Sequence, residues 1–232
     1  MALKRYHHLF FDLDHTLWDY ERNAGETLVE IYHHFDLSRY QPDVKIFCDD
    51  FFRINEEMWA LFRENKIKKE ELNSSRFSKA LPSIASETHF IEEISDYFLH
   101  HCPQKSHLIE GSRELLDYLK SRGYLLYIVT NGYQKMQLQK MESSSIMDYF
   151  TKIFTSENVG SKKPHRDYFA YALKSCNARK KESLVIGDNY EADILGAMNF
   201  GIDQVFYNPK NDTVEKKPTY EIKRISELME VL

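Results

Sequence analysis

Two aspartates, Asp12 and Asp14, stand directly after a short apolar run at residues 6–11. Residues two apart on an extended segment point to the same side, so these carboxylates are expected to lie close together. Such a pair is stable when a cation lies between the carboxylates or when one of them is protonated. A third acid, Asp188, follows another apolar run at 183–186. An aspartate on its own often caps a helix or a turn, but three together indicate a Mg²⁺ site.

Groups that suit an anion follow two further apolar runs. Thr130, Asn131 and Gly132 offer a hydroxyl and backbone N–H donors, which are the usual means of holding phosphoryl oxygens. Lys163 stands in a Lys-Pro pair after a weaker run at 152–155. A Lys-Pro pair alone is usually a solvated turn, but this one falls between a predicted strand and a predicted helix. A lysine there supplies a point charge for a phosphate.

The elements that must position these residues are predicted from apolar periodicity. Short continuous apolar runs suit strands that are buried on both faces, and such runs occupy 6–11, 124–129, 152–155, 183–186 and 204–207. Helical patterns occupy 111–122, 133–142, 166–175 and 191–200. This alternation predicts an α/β fold with a three-layer Rossmann-like core and a parallel sheet. Ligands bind beyond the carboxyl ends of such strands, where all the residues above lie.

The stretch at 18–105 has a different pattern. It contains almost no β-branched runs and four helix-like segments, at about 19–36, 42–65, 68–80 and 86–101, with prolines at their boundaries. We expect an inserted α-helical cap domain at 18–105, and a catalytic core formed by 1–17 and 106–232. The tail after Asn208 is predicted to be a loop that leads to a short closing helix at about 226–231.

Composition excludes several classes of protein. The 232 residues are 42% hydrophobic with a net charge of −5, which disfavours binding to a nucleic acid polymer. No apolar run reaches the roughly 18–20 residues that a membrane span needs, and the N-terminus lacks a signal-peptide pattern. The three cysteines, Cys48, Cys102 and Cys176, are scattered, which is typical of reduced thiols. The sequence therefore predicts a cytoplasmic protein; its oligomeric state is not predicted.

Four motifs carry a family resemblance. They are Asp12-x-Asp14-x-Thr16, Thr130-Asn131, Lys163-Pro164 and Gly187-Asp188-x-x-x-x-Asp193. In this order, each at a strand end, they resemble the motifs of the haloacid dehalogenase superfamily. The helical stretch between the first two motifs resembles the cap of the subfamily that inserts its cap at that point.

The resemblance implies catalytic roles for three residues. Asp12 would be the nucleophile that forms an aspartyl-phosphate intermediate. Asp14 would be the general acid for the leaving oxygen and then the base that activates water. Lys163 would steady the nucleophile and neutralise the transferring group. Family members that displace halide lack an acid at the position of Asp14, because halide needs no proton, so the resemblance implies a phosphomonoesterase.

The resemblance also implies how phosphate and metal are held. Thr130, together with Asn131 and Lys163, would bind the substrate phosphate. Mg²⁺ would be bound by Asp12, by the backbone carbonyl of Asp14 and by Asp188. Asp193 would orient the waters of the metal or Lys163, and Thr16 would stabilise the loop.

The residues in and around these motifs resemble those of the bacterial pyrimidine nucleotide 5′-phosphatases. They also resemble those of sugar-phosphate phosphatases, including those for sialic acid 9-phosphate, so the resemblance implies a small phosphate ester of either class as the substrate. Trp18 is a candidate for the leaving-group pocket because bases stack on aromatic rings, and hinge packing is its alternative. Arg76 is a second candidate, with a surface charge as its alternative. A sugar phosphomutase and a non-enzymatic receiver-like phosphoacceptor also remain open.

Overall fold

The computed structural model describes residues 6–232, and the chain divides there into two compact units. One unit contains residues up to Asp19 together with Ser106–Leu232, and the other is Tyr20–Lys105. The sequence placed the first boundary after residue 17, two residues earlier. None of the helices within 6–232 is long and apolar enough to cross a membrane.

The first unit is built on a six-stranded sheet. Its strands are β1 (His8–Phe11), β2 (Leu125–Thr130), β3 (Phe150–Thr155), β4 (Ser183–Gly187), β5 (Asp203–Tyr207) and β6 (Tyr220–Ile222). All neighbours pair in parallel, in the order β3-β2-β1-β4-β5-β6. With helices on both sides, this arrangement confirms the predicted α/β fold and its parallel sheet.

Helices follow the strands as parallel pairing requires. In the first unit they are α5 (Ser112–Ser121), α6 (Gln134–Ser143), the single turn α7 (Ser156–Val159), α8 (Arg166–Ser175), α9 (Gly196–Phe200) and α10 (Leu228–Val231). The inner strands β1, β2 and β4 are almost entirely buried, which explains their continuous apolar sequences. α5 turns its apolar stripe, Leu115, Leu116 and Leu119, into the core.

The edge strand β6 lies in the tail that the sequence predicted to be a loop, and that prediction is wrong at this point. Tyr220 pairs with Val205 of β5, and Ile222 pairs with Tyr207. Ile222 is the fully buried residue of the three. The strand is therefore stabilised by pairing with β5 and has no apolar run by which sequence could identify it.

The second unit is helical, and its helices are α1 (Tyr20–His34), α2 (Val44–Arg63), α3 (Lys69–Ala80) and α4 (Thr88–His101). Asp43 begins α2 by accepting hydrogen bonds from the backbone of residues 45 and 46, as an N-cap does. Phe51, Phe77 and Phe98 form an aromatic centre, with ring centroids 4.8–5.7 Å apart. These three rings, one from each of α2, α3 and α4, therefore pack inside this unit.

Candidate active site

The carboxyl ends of β1, β2 and β4 bring the acidic residues of the sequence motifs together. Phe11, the last residue of β1, pairs with Ile128 on one side and with Ile186 on the other. Asp12 therefore leaves the sheet between its two neighbouring strands. Carboxylate oxygens of Asp12, Asp188 and Asp193 all lie within 4.8 Å of one another.

Lys163 lies among these acids. Its Nζ is 2.9 Å from Asp12 Oδ1, 2.6 Å from Asp193 Oδ1 and 2.7 Å from the carbonyl oxygen of Val129. An ammonium has three N–H donors, so all three are used. The side chain is 2% exposed. The pair of carboxylates compensates the charge, which burial alone would make costly.

Asn131 holds the backbone of Lys163. Its Oδ1 accepts a hydrogen bond from Lys163 N at 2.8 Å, and its Nδ2 donates to Lys163 O at 2.9 Å. The sequence predicted that Asn131 would bind phosphate through its backbone. The structure adds a role for its side chain, which fixes the loop that carries the lysine.

Asp193 reaches Lys163 from a π-helical segment, Tyr190–Leu195, that runs into α9. The sequence predicted regular helix over 191–200. Asn189 caps this segment with its side chain, which accepts from Ala192 N, and its carbonyl accepts from Asp193 N and also from Ile194 N, five residues on, as in a π-helical turn. π-helical turns occur frequently at functional sites.

Gly187 leaves room for Asp193. A Cβ at position 187 would lie 2.6 Å from Asp193 Cβ, closer than real carbon atoms approach. In the Gly-Asp pair at the end of β4, Asp188 is therefore one acid of the site, and Gly187 leaves the space that Asp193 occupies.

The carboxylate of Asp14 is held by two residues of α6. Lys140 Nζ is 2.6 Å from Asp14 Oδ1, and Gln137 Nε2 is 2.9 Å from Asp14 Oδ2. Gln137 and Lys140 are both buried, and they are three residues apart on one face of the helix. Sequence reasoning identified this helix but did not identify either residue as part of the site. The available signal was the presence of polar residues at helical spacing on a face where an apolar stripe is expected.

Thr130 is the last residue of β2, and its hydroxyl oxygen is hydrogen-bonded to other residues of the chain. Its Oγ1 accepts from Gln137 Nε2 at 2.7 Å and from Gly132 N at 3.0 Å. The sequence had assigned the Gly132 N–H to a phosphoryl oxygen, whereas this donor is used by Thr130.

Thr16 donates to Asp188 Oδ1 at 2.8 Å, so it connects the loop after β1 to the acid after β4.

Burial and neighbouring charge shift the carboxyl groups in different directions. Burial raises the pKa of Asp12 to about 7, although Lys163 works against the shift. Burial likewise raises the pKa of Asp188 to about 6, and the Asp12 carboxylate adds to this shift. Burial also acts on Asp14, but its ion pair with Lys140 is stronger, and the pKa of Asp14 falls below its ordinary value. The ion pair with Lys140 thus favours the carboxylate form of Asp14 when no substrate is bound.

The donor set fits a hard divalent cation. Both carboxylate oxygens of Asp193 are hydrogen-bonded, one to Lys163 and the other to Asn189 N. Within residues 6–232, Oδ2 of Asp12 and Oδ2 of Asp188 have no hydrogen-bond donor. The two carboxylates are half-buried, and Asp12 raises the pKa of Asp188, which is an arrangement that Mg²⁺ relieves.

The two candidates for the leaving-group pocket are buried. Trp18 has no exposed surface, and the Lys140 ammonium lies 4.5 Å from the centre of its ring. Arg76 is 3% exposed inside the helical unit, where it donates to Asn55 Oδ1 and lies over the rings of Phe51 and Phe98. A substrate contact by either side chain requires exposure that this structure does not have.

Comparison with known proteins adds to this geometry. Residues 9–207 match the model of the haloacid dehalogenase-like hydrolases. The chain is 31% identical to the pyrimidine 5′-nucleotidase PynA of Streptococcus pneumoniae, over 98% of this chain and 95% of that protein. It is 25% identical to the pyrimidine 5′-nucleotidase YjjG of Escherichia coli, over 97% and 96% of the two chains. A magnesium-bound crystal structure of the HAD-hydrolase YfnB from Bacillus subtilis matches with a TM-score of 0.88 at 29% identity, covering 98% of this chain and 99% of that one.

Proposed function

Because the chain belongs to the haloacid dehalogenase-like hydrolase family, we propose that it is a Mg²⁺-dependent phosphomonoesterase that acts through an aspartyl-phosphate on Asp12. The observation that carries the proposal is the position of the Asp12 carboxylate, 2.9 Å from the buried Lys163 ammonium and close to Asp188. A second acid, Asp14, follows two residues later. This set supplies a nucleophile, a cation and a proton carrier at one strand end.

The first half of the reaction transfers the phosphoryl group to the enzyme. An oxygen of Asp12 attacks phosphorus, and the bond between phosphorus and the ester oxygen breaks. The leaving oxygen takes a proton from the protonated form of Asp14 and departs as an alcohol. The Thr130 hydroxyl donates to a negative oxygen of the transferring group, and the Lys163 ammonium, which is bound to Asp12, supplies positive charge beside it.

The second half releases phosphate. Asp14 accepts a proton from water, the water oxygen attacks phosphorus, and the bond between phosphorus and Asp12 breaks. The Lys140 ion pair favours the carboxylate form of Asp14, which is the form that this half requires. Asp12 is then a carboxylate again, and Asp14 carries the proton taken from water that it gives to the next leaving oxygen, so the cycle is balanced.

Asp12, Asp188 and the backbone carbonyl of Asp14 would hold Mg²⁺. When bound, the ion supplies positive charge that neutralises the phosphoryl oxygens and the carboxylates around them. The crystal structure of YfnB is bound to magnesium, which supports Mg²⁺ as the ion.

We propose pyrimidine nucleoside 5′-monophosphates as the substrate class. The support is the pair of relatives that are named pyrimidine 5′-nucleotidases and are aligned over nearly the whole chain. The test is phosphate release from a panel of pyrimidine and purine monophosphates and sugar phosphates, including sialic acid 9-phosphate, with Mg²⁺ and with EDTA. Release that requires Mg²⁺ and favours pyrimidines is the expected result. A preference for sugar phosphates would overturn the substrate class, and phosphate transfer only to an added acceptor would overturn the hydrolase assignment.

A further inference from the structure

The amide of Gln137 connects two groups that act at different points of the substrate. Its Nε2 lies 2.9 Å from Asp14 Oδ2 and 2.7 Å from Thr130 Oγ1, and the side chain has no exposed surface. We propose that Gln137 is a positioning residue that fixes the Asp14 carboxylate and the Thr130 hydroxyl together, and that position 132 is glycine so that this amide can reach them. The inference rests on the proposed phosphomonoesterase function.

The carboxylate determines which end of the amide faces the site. An ionised carboxylate only accepts hydrogen bonds, so it requires the nitrogen of Gln137 and repels the oxygen. An amide nitrogen has two hydrogens, and the two contacts use both. Rotation of the amide by half a turn would lose both N–H donors and would place the amide oxygen against the Asp14 carboxylate, although the Thr130 hydroxyl could still donate to it. The amide therefore has one favourable orientation.

The same contact determines what the Thr130 hydroxyl can do. Its oxygen accepts from Gln137 Nε2 and from Gly132 N, so both acceptor positions are used. The hydroxyl proton is what remains, and it is the group that a phosphoryl oxygen requires. Gln137 thus makes Thr130 a donor to the substrate.

Gly132 provides the space for this arrangement. A Cβ at position 132 would lie 2.6 Å from Gln137 Cδ, which a real Cβ does not tolerate. The φ angle of Gly132 lies outside the left-handed region, so the backbone itself accepts alanine. The atoms in the way belong to the end of a flexible side chain. The variant Gly132→Ala is therefore expected to displace the amide without unfolding the chain.

Lys140 holds the other oxygen of Asp14 from the same face of α6. Asp14 Oδ1 is bound to Lys140 and Asp14 Oδ2 is bound to Gln137, so the orientation of the carboxylate plane is fixed. The lysine alone would leave rotation about the remaining bonds free. Gln137 is thus expected to matter for orientation even when the ion pair is intact.

The test uses three substitutions that remove the contact in different ways. Gln137→Met keeps the length of the side chain and removes both donors, whereas Gln137→Glu keeps its shape and replaces the donor by an acceptor. Gly132→Ala leaves Gln137 intact and moves it. The matched control is Gln139→Met on the exposed face of the same helix, where Gln139 contacts Ser143. Thermal unfolding identifies any variant that does not fold.

Kinetics with two esters separate positioning from a structural role. A nucleoside monophosphate leaves as an alkoxide and depends on Asp14, whereas p-nitrophenyl phosphate leaves as a stabilised phenolate and depends on it less. All three variants are expected to lose about 10- to 100-fold in kcat/KM on the nucleotide, with a smaller loss on the nitrophenyl ester. Equal losses on both esters, or activity equal to that of the Gln139→Met control, would overturn the inference.

A binding measurement keeps this test separate from the proposed function. Inorganic phosphate is titrated calorimetrically, in the presence of Mg²⁺, into wild type, Gln137→Met and Gln139→Met. Losing the oriented donor of Thr130 is expected to weaken phosphate binding by about tenfold in Gln137→Met and not in the control. If wild type hydrolyses neither ester, the proposed function fails, while the titration still tests Gln137. Unchanged affinity in Gln137→Met, or no binding by wild type, would overturn the positioning role.

Discussion

The ammonium of Lys163 and the carboxylate of Asp193 form a pair 2.6 Å apart in which the two side chains are 2% and 0% exposed. Asp193 therefore holds the lysine beside Asp12. Removing one member of a buried pair leaves the other charge poorly compensated. This relationship makes Asp193 a requirement for the position of Lys163.

We expect Asp193→Asn to lower the free energy of unfolding by roughly 3 kcal/mol and to reduce kcat more than it raises KM, because Lys163 loses a charged partner. Urea unfolding and steady-state kinetics measure the two effects. The matched control is Asp49→Asn, which removes the same charge from an exposed pair with Lys45 and is expected to change neither quantity. Equal behaviour of the two variants would contradict the role given to Asp193.

Asn131→Ala is expected to reduce kcat by about tenfold or more, because the backbone of Lys163 loses two hydrogen bonds and the ammonium moves relative to Asp12. The control is Asn199→Ala at an exposed position of α9. A variant with normal kcat and only a raised KM would show that Asn131 contacts substrate and does not position the lysine.

Gly187→Ala is expected to destabilise the protein by about 1–3 kcal/mol, because the new Cβ overlaps Asp193. Gly25→Ala is the matched control. A Cβ there would meet Phe52 at 3.9 Å, which is ordinary contact, and alanine in a helix is favourable by about 0.5–1 kcal/mol relative to glycine. Thermal unfolding should move the two variants in opposite directions, and a stabilised Gly187→Ala would contradict the packing described here.

Mg²⁺ is expected to stabilise the folded protein more at pH 8 than at pH 5.5. The pKa values of Asp12 and Asp188 are raised from 3.8 to about 7 and about 6, so the folded chain binds more protons than the unfolded chain between these limits. Stability from these two groups therefore falls as the pH rises through this range in metal-free protein. Mg²⁺ competes with the protons and restores it.

The measurement is the Tm with Mg²⁺ minus the Tm with EDTA, taken at several pH values. The difference should grow with pH and should be lost in Asp188→Ala. A difference that does not depend on pH, or that persists in this variant, would contradict the metal site.

Apolar runs identified the inner strands because those strands are buried on both faces and must be apolar throughout. The same criterion did not identify β6, because this strand is stabilised by pairing with β5 and has no continuous apolar run. The motif residues at the strand ends could be predicted because parallel strands bring their carboxyl ends to one edge. The roles of those residues in catalysis remain proposals.

Contacts between distant side chains could not be read from the sequence. Gln137 and Lys140 stand where an apolar stripe is expected on α6, but the sequence does not identify the partner that buries them. The structure gives the reason, which is the carboxylate of Asp14, 123 positions before Gln137. The family resemblance implied that Asp193 orients either the waters of the metal or Lys163, and the contact with Lys163 comes from a π-helical turn that no periodicity predicts.

The central claim is that Asp12 carries the phosphoryl group. The most direct test is to quench the enzyme during turnover of a nucleoside monophosphate with Mg²⁺, reduce it with borohydride, and map the peptides by mass spectrometry. Borohydride reduces an acyl phosphate to an alcohol, so we predict homoserine at position 12 and unmodified aspartate at positions 14 and 188. An enzyme that releases phosphate while Asp12 stays unmodified, or one in which another acid is reduced, would contradict the account.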